Sequence, residues 1–201
     1  MSADERIVLA SASPRRERLL REAGLSFEVV PAELEERRLP GETPADFARR
    51  AAGDKGLTVA TRLARRSRQP WIVAADTVVA LGDELLTKPR DRDHAAEMLS
   101  LLSGRAHTVI TGWTVGRHES SWTAGQELTE VVFHPLEEDE IESYAATGEG
   151  DDKAGAYAIQ GIGAFLVERI EGDYFNVVGL PISRVLRALV AAGALQGYPL
   201  P

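Results

Sequence analysis

Near the start of the chain the run Ser11-Ala12-Ser13-Pro14-Arg15-Arg16 follows a short apolar stretch and precedes a helical pattern. Serine caps free backbone N–H groups and proline suits the first helical position, so a helix start is expected there. A helix start is an anion site in outline, because N–H groups and the positive end of the dipole converge on it. The hydroxyls of Ser11 and Ser13 add donors, and Arg15 and Arg16 add charge that opposes the dipole unless an anion is present. The alternative is a plain Ser-Pro cap with solvated arginines.

Asp76 directly follows the apolar run Trp71–Ala75. That places it at the carboxyl end of a buried strand, where α/β sheets present their ligands. A carboxylate there binds Mg2+, takes a proton from water, or simply forms a turn. Lys55, Lys88 and Lys153 are isolated and carry no meaning by themselves, and Glu36 lies in the acidic run Glu33–Glu36, which reads as a solvated loop. His94, His107, His118 and His134 lack ligand spacing, and no P-loop, H-E-x-x-H or G-x-S-x-G motif occurs.

These residues need elements to hold them. Ile7–Ala10 reads as a strand, and the Ser13-Pro14 helix has Leu19, Leu20 and Ala23 on its inner face and Gly24 as its stop. Phe27–Val30 reads as a strand and residues 31–42 as a loop. Thr43-Pro44 starts a long helix to about Arg66, with Gly53 and Gly56 as weak points. Trp71–Leu81 is a buried strand. Asp91 or Asp93 opens a helix that ends at Gly104. Residues 106–134 read as paired strands with the turn between Gly116 and Gly125, and Leu136–Ala146 as a helix. Two short strands around glycines are expected in residues 156–170, then a loop, then a closing helix from Pro181. Alternation of this kind predicts an α/β or α+β protein.

The 201 residues predict a single domain, with room for two lobes, and 44% apolar residues supply a core. The absence of cysteine excludes disulfides, thiolate nucleophiles and cysteine zinc sites. A net charge of -8 argues against nucleic acid as a partner. Residues 1–70 nevertheless hold 14 basic and 11 acidic groups, so an anion finds its best reception in the first third. No apolar run reaches membrane-spanning length, and the N-terminus lacks a basic leader, so a cytoplasmic protein without a membrane partner is expected.

Taken together, LASASPRRERLL (9–20), Glu35-Glu36, Lys55, AADTVV (74–79), Lys88-Pro89, LSGRAHTVITG (102–112) and DKAGAYAIQGIGAFLVERIEGDYFNVVGLP (152–181) resemble the Maf-like nucleoside triphosphate pyrophosphatases, a family named for an effect on septum formation. The pieces occur in the family's order over nearly the whole chain. The departures are Thr87, where glycine often precedes the lysine, and the individual loop at 116–125.

The resemblance implies one Maf-like domain over 1–201 with an α/β fold: an extended mixed sheet flanked by helices, in two lobes around a deep nucleotide-binding cleft. It implies hydrolysis of dTTP and UTP to the monophosphate and pyrophosphate with a divalent metal cation, Mg2+ or Mn2+, which would limit incorporation of unwanted nucleotides. Asp76 takes the position of the family's proton acceptor. Arg15, Thr77 and Gln160 take specificity-linked positions, with Ser11, Lys55 and Lys88 as further substrate contacts and Glu36, Asp76 and Asp152 as metal-supporting carboxylates. The glutamine at 160 matches the dTTP/UTP branch, and an amide meets a pyrimidine edge with both a donor and an acceptor. Two alternatives remain at this point, a 7-methyl-GTP pyrophosphatase and a non-catalytic nucleotide-sensing regulator of septum formation. The resemblance leaves room for a homodimer.

Overall fold

The computed structural model describes residues 7–66, 69–118 and 122–199. Its centre is a mixed sheet of seven strands: β1 (Ile7–Leu9), β2 (Phe27–Val29), β3 (Trp71–Leu81), β4 (Glu84–Leu86), β5 (Ala106–Gly116), β6 (Thr123–Phe133) and β7 (Val167–Glu171). The order is β2-β1-β3-β5-β6-β7, with β4 paired to β3. β1 runs parallel to β2 and β3, whereas β3–β4 and β6–β7 are antiparallel. The helices are α1 (Pro14–Glu22), α2 (Pro44–Leu63), α3 (Arg92–Leu102), α4 (Glu138–Ala146), α5 (Tyr174–Val178) and α6 (Ile182–Ala191). The expected α/β architecture with an extended mixed sheet is the one observed.

The chain divides into two compact units. The first comprises Met1–Asp76, Thr111–Gln126 and Gly179–Pro201. Val8 of β1, Ala10 just after it, and Ile72 and Ala74 of β3 form a core closed by Val59, Ala60 and Leu63 of α2. Parallel strands covered in this way read as continuous apolar runs, which is why Trp71–Ala75 carries no polar residue until Asp76. Gly56 leaves α2 intact because it has a packing role: a Cβ there would lie 2.7 Å from the Trp122 ring. Gly112 of β5 has the same role against α2, since its Cβ would fall 2.2 Å from the Ala48 carbonyl oxygen.

The second unit comprises Thr77–Ile110 and Glu127–Val178. Its core joins Ala95, Met98, Leu99 and Leu102 of α3 to Ile141, Tyr144 and Ala145 of α4 and to Val109, Val131 and Phe133 of the strands. Each such large side chain contributes roughly 1.5–3 kcal/mol by leaving water. Asp91 rather than Asp93 caps α3, its carboxylate accepting from the His94 amide at 2.8 Å.

β5 ends at Gly116 and β6 begins at Thr123, so the connection falls between Gly116 and Gly125 as expected; residues 119–121 lie outside the described residues. Other expectations are corrected. Residues 156–170 hold one strand, β7, not two. The rest of that segment is built from 3-10 turns, Ala154–Ala156 and Gly161–Leu166, in which Gly155 and Gly161 adopt positive φ that no strand allows. The expected loop before Pro181 contains α5, and β4 was not foreseen because three residues give too little pattern.

His107 on β5 is 2% exposed, packs edge-on against Phe133 and Tyr157, and sets Nε2 2.8 Å from the Tyr157 hydroxyl. Burial pushes its pKa down to about 4. A depressed histidine favours folding above its ordinary value of 6.5 and loses that contribution as pH falls towards 4. Denaturant titrations should therefore show wild-type stability declining across this window by up to about 3 kcal/mol, and His107→Gln should flatten the decline.

Candidate active site

In the first unit, β1 ends at Leu9 and the chain turns through Ser11 into α1. Ser13 caps the helix, its hydroxyl accepting from the Arg16 amide at 3.5 Å, and the Ser11 hydroxyl accepts from the Ser13 amide at 3.1 Å. The two arginines then part company. Arg15 is half-buried, while Arg16 is buried, donating from Nε to the Gly179 carbonyl at 2.8 Å and from Nη1 to the Ser11 hydroxyl at 3.2 Å. Burial pulls the Arg16 guanidinium below its ordinary value, Asp76 works against that, and Arg15 adds to it. Arg16 therefore fixes the Ser11 turn and the Gly179 entry to α6, a role that the pair Arg15-Arg16 could not reveal in sequence because the two differ only in the direction they face.

Lys55 of α2 and Asp76 of β3 meet in the same unit. Lys55 Nζ lies 2.6 Å from Asp76 Oδ1 and 2.7 Å from Glu36 Oε1. Their side chains are 12% exposed for Lys55, 9% for Asp76 and 32% for Glu36, so the ammonium and Asp76 are the interior members. Two carboxylates on one ammonium leave an excess negative charge. Glu36 shows it: burial raises its pKa above the ordinary carboxylate value, Asp76 raises it further, and Lys55 only partly offsets both.

Glu36 comes from the loop that its sequence marked as solvated. The loop is tied to α2 by Arg50, which donates to Glu42 Oε1 at 2.7 Å and to the Arg37 carbonyl at 2.8 Å. The acidic run thus divides: Glu35 pairs with Arg37 on the surface, and Glu36 turns to Lys55.

The second unit carries the other expected residues. Thr77 follows Asp76 on β3 and is half-buried, and Lys88 is exposed after β4. Asp152 is exposed and 2.5 Å from Lys153 Nζ. Gln160 is half-buried at the residue before the Gly161–Leu166 turn. Among the described residues no group of three or more His, Cys, Asp or Glu side chains forms a metal cage. The Glu36 and Asp76 pair suits a hard divalent cation that keeps waters and shares substrate oxygens, the usual manner of Mg2+.

Glu149 was not foreseen. Burial alone would raise its pKa, but the Gly163 and Ile162 amides, the Tyr144 hydroxyl and Lys153 together hold it below the ordinary range. A lone glutamate before a glycine carries no signal in sequence.

A family profile described as Maf-like protein matches residues 6–192. The chain is 50% identical over 191 residues to a dTTP/UTP pyrophosphatase of Geobacter sulfurreducens, with 94% of this chain and 98% of the relative covered. Relatives of the same name from Geobacter metallireducens and Thermoanaerobacter sp. strain X514 are 47% and 48% identical, covering 97% and 92% of this chain and 100% and 95% of theirs. Among solved structures it is similar to a nucleoside-triphosphatase / dITP/XTP pyrophosphatase from Mycobacterium abscessus, at 15% identity and a TM-score of 0.44, covering 94% and 97% of the two chains.

A glutamate with a raised pKa favours folding below its ordinary 4.5 and forfeits that contribution as pH rises through the folded value. Charged Glu36 therefore costs stability at neutral pH. Thermal melts of Glu36→Gln should show a Tm a few degrees above wild type at pH 8 and no gain below pH 4.5.

Proposed function

The chain belongs to the Maf-like family, and from that premise we propose that it is a pyrophosphatase that hydrolyses dTTP and UTP to the monophosphate and pyrophosphate. The observation that carries the reading is the Asp76–Lys55–Glu36 set, with Asp76 and Lys55 in the interior, in the same unit as the capped start of α1 and in a chain 50% identical to a relative named for this activity.

In the reaction a water attacks the α-phosphorus, the bond from that phosphorus to the α,β-bridging oxygen breaks, and pyrophosphate leaves with the bond's electron pair. The water's proton needs an acceptor. Asp76 is assigned that role: Lys55 donates to its Oδ1 at 2.6 Å, which fixes the direction of the carboxylate. Arg15, the Ser11–Ser13 turn and the first turn of α1 are assigned to phosphate oxygens, and Arg16 keeps that turn in shape from behind. Lys88 is assigned to the phosphates, and Thr77 and Gln160 to the choice of base.

Glu36 and Asp76 would hold a divalent cation, with Asp152 as a further carboxylate in support. Such an ion, when bound, offsets the charge that builds on the phosphate oxygens and leaving group. Lys55 cannot supply that offset alone, because both of its short contacts already go to carboxylates.

Incubation of the purified protein with Mg2+ and dTTP, UTP, CTP or 7-methyl-GTP, followed by assay of pyrophosphate, tests the reading. Release from dTTP and UTP is expected. Release from 7-methyl-GTP alone would move the chain to the other branch, and no release from any of them would favour a nucleotide sensor. In the same assay Asp76→Asn should lower kcat by about a hundredfold or more, the scale of general-base loss, and near-normal turnover would remove Asp76 from the mechanism.

A further inference from the structure

Gln160 lies between two anchoring points of one small network in the second unit. On its N-terminal side the Ala158 amide donates to the Tyr144 hydroxyl at 3.1 Å, and that hydroxyl donates to Glu149 Oε2 at 3.0 Å. On its C-terminal side the Gly163 amide donates to the same Oε2 at 2.8 Å and the Ile162 amide to Oε1 at 3.0 Å. One carboxylate and one phenol thus tie down residues 158, 162 and 163 around the glutamine.

The clamp is fitted closely. Gly161 has φ 73°, and a Cβ there would lie 2.2 Å from Glu149 Oε1. A Cβ on Gly163 would lie 2.4 Å from the Ala158 carbonyl oxygen and 2.6 Å from the Tyr144 hydroxyl. Glu149 is held in turn: its amide donates to Thr147 Oγ1 at 3.1 Å, and its carbonyl accepts from Lys153 Nζ. With its pKa held down, it stays an acceptor-only carboxylate, and each of its oxygens faces N–H or O–H donors.

We propose that Glu149, with Tyr144, is a positioning residue for base selection: it fixes the backbone on both sides of Gln160 so that the carboxamide meets a pyrimidine edge in one register. This rests on the reading of Gln160 as the base-facing side chain. Uracil and thymine present an acceptor at O4 and a donor at N3, while cytosine presents a donor at N4 and an acceptor at N3. A carboxamide held in one place discriminates between the two patterns, whereas one on a loosened turn reorients and accepts either.

The test measures kcat and KM for UTP and CTP in the wild type, Tyr144→Phe, Glu149→Gln, Gln160→Ala and the double variant Glu149→Gln/Gln160→Ala. Glu149→Gln replaces one acceptor oxygen by a donor that opposes an amide N–H, and Tyr144→Phe keeps the ring but removes the bridge. Each single variant is expected to lower the UTP-to-CTP ratio of kcat/KM by about tenfold, mainly through the KM for UTP, and the double variant to lose no more than Gln160→Ala. Equal losses on UTP and CTP, or a further loss of the ratio in the double variant, overturn the proposal by showing a role in the fold alone or one not exerted through Gln160. Tyr144→Phe decides the matter should Glu149→Gln fail to fold. An unchanged ratio in Gln160→Ala sinks the reading of Gln160 itself. A changed ratio there with an unchanged one in Tyr144→Phe and Glu149→Gln sinks the clamp and leaves that reading standing.

Discussion

An ammonium shared by two carboxylates governs the candidate site. Lys55 reaches it from α2, Asp76 from β3 and Glu36 from a loop, so one cation joins three segments distant in sequence. Removing one partner of a largely buried ion pair typically costs about 3–5 kcal/mol, because the survivor keeps its desolvation without compensation. Here the survivors of a lost Lys55 would be two carboxylates repelling one another. The arrangement thus demands the lysine for folding and exposes the carboxylates to any further cation.

Arg16 plays the matching part at the start of α1. Its contacts go to the Ser11 hydroxyl and the Gly179 carbonyl, both within the first unit, so the turn from β1 into α1 is braced by a charge that the turn does not spend on solvent. A cation on the first turn opposes the helix dipole by a few tenths of a kcal/mol up to about 1 kcal/mol. A buried carbonyl partner and a nearby carboxylate of the opposite sign offset that penalty.

Strong local codes were legible in sequence. Ser13-Pro14 and Thr43-Pro44 both open helices and the α/β alternation stands, but Asp76 is in the middle of β3 rather than at its carboxyl end, because the apolar run resumes at Val78 and carries the strand on to Leu81. What failed has a common cause. The segment 154–166 combines apolar residues with glycine, which imitates short strands, but its shape is set by positive φ at Gly155, Ala156 and Gly161 and by the distant carboxylate of Glu149. The separate fates of Arg15 and Arg16, and of Glu35 and Glu36, were illegible for a related reason. Neighbours of the same type divide according to which tertiary partner each faces, and spacing alone carries no trace of the Gly179 carbonyl or the Lys55 ammonium.

The acidity of the whole chain acquires a definite meaning at this site. The net charge of -8 belongs to the whole chain, whereas residues 1–70 hold 14 basic and 11 acidic groups, and the interior lysine among them is already committed to two carboxylates. Duplex and single-stranded nucleic acids bind through many cations acting together along an extended surface. A small triphosphate differs because it travels with its own divalent ion, and two carboxylates that repel one another are then an attraction rather than a barrier. Burial first and the neighbouring Asp76 charge second raise Glu36, so a cation brought up to the pair would relieve both carboxylates.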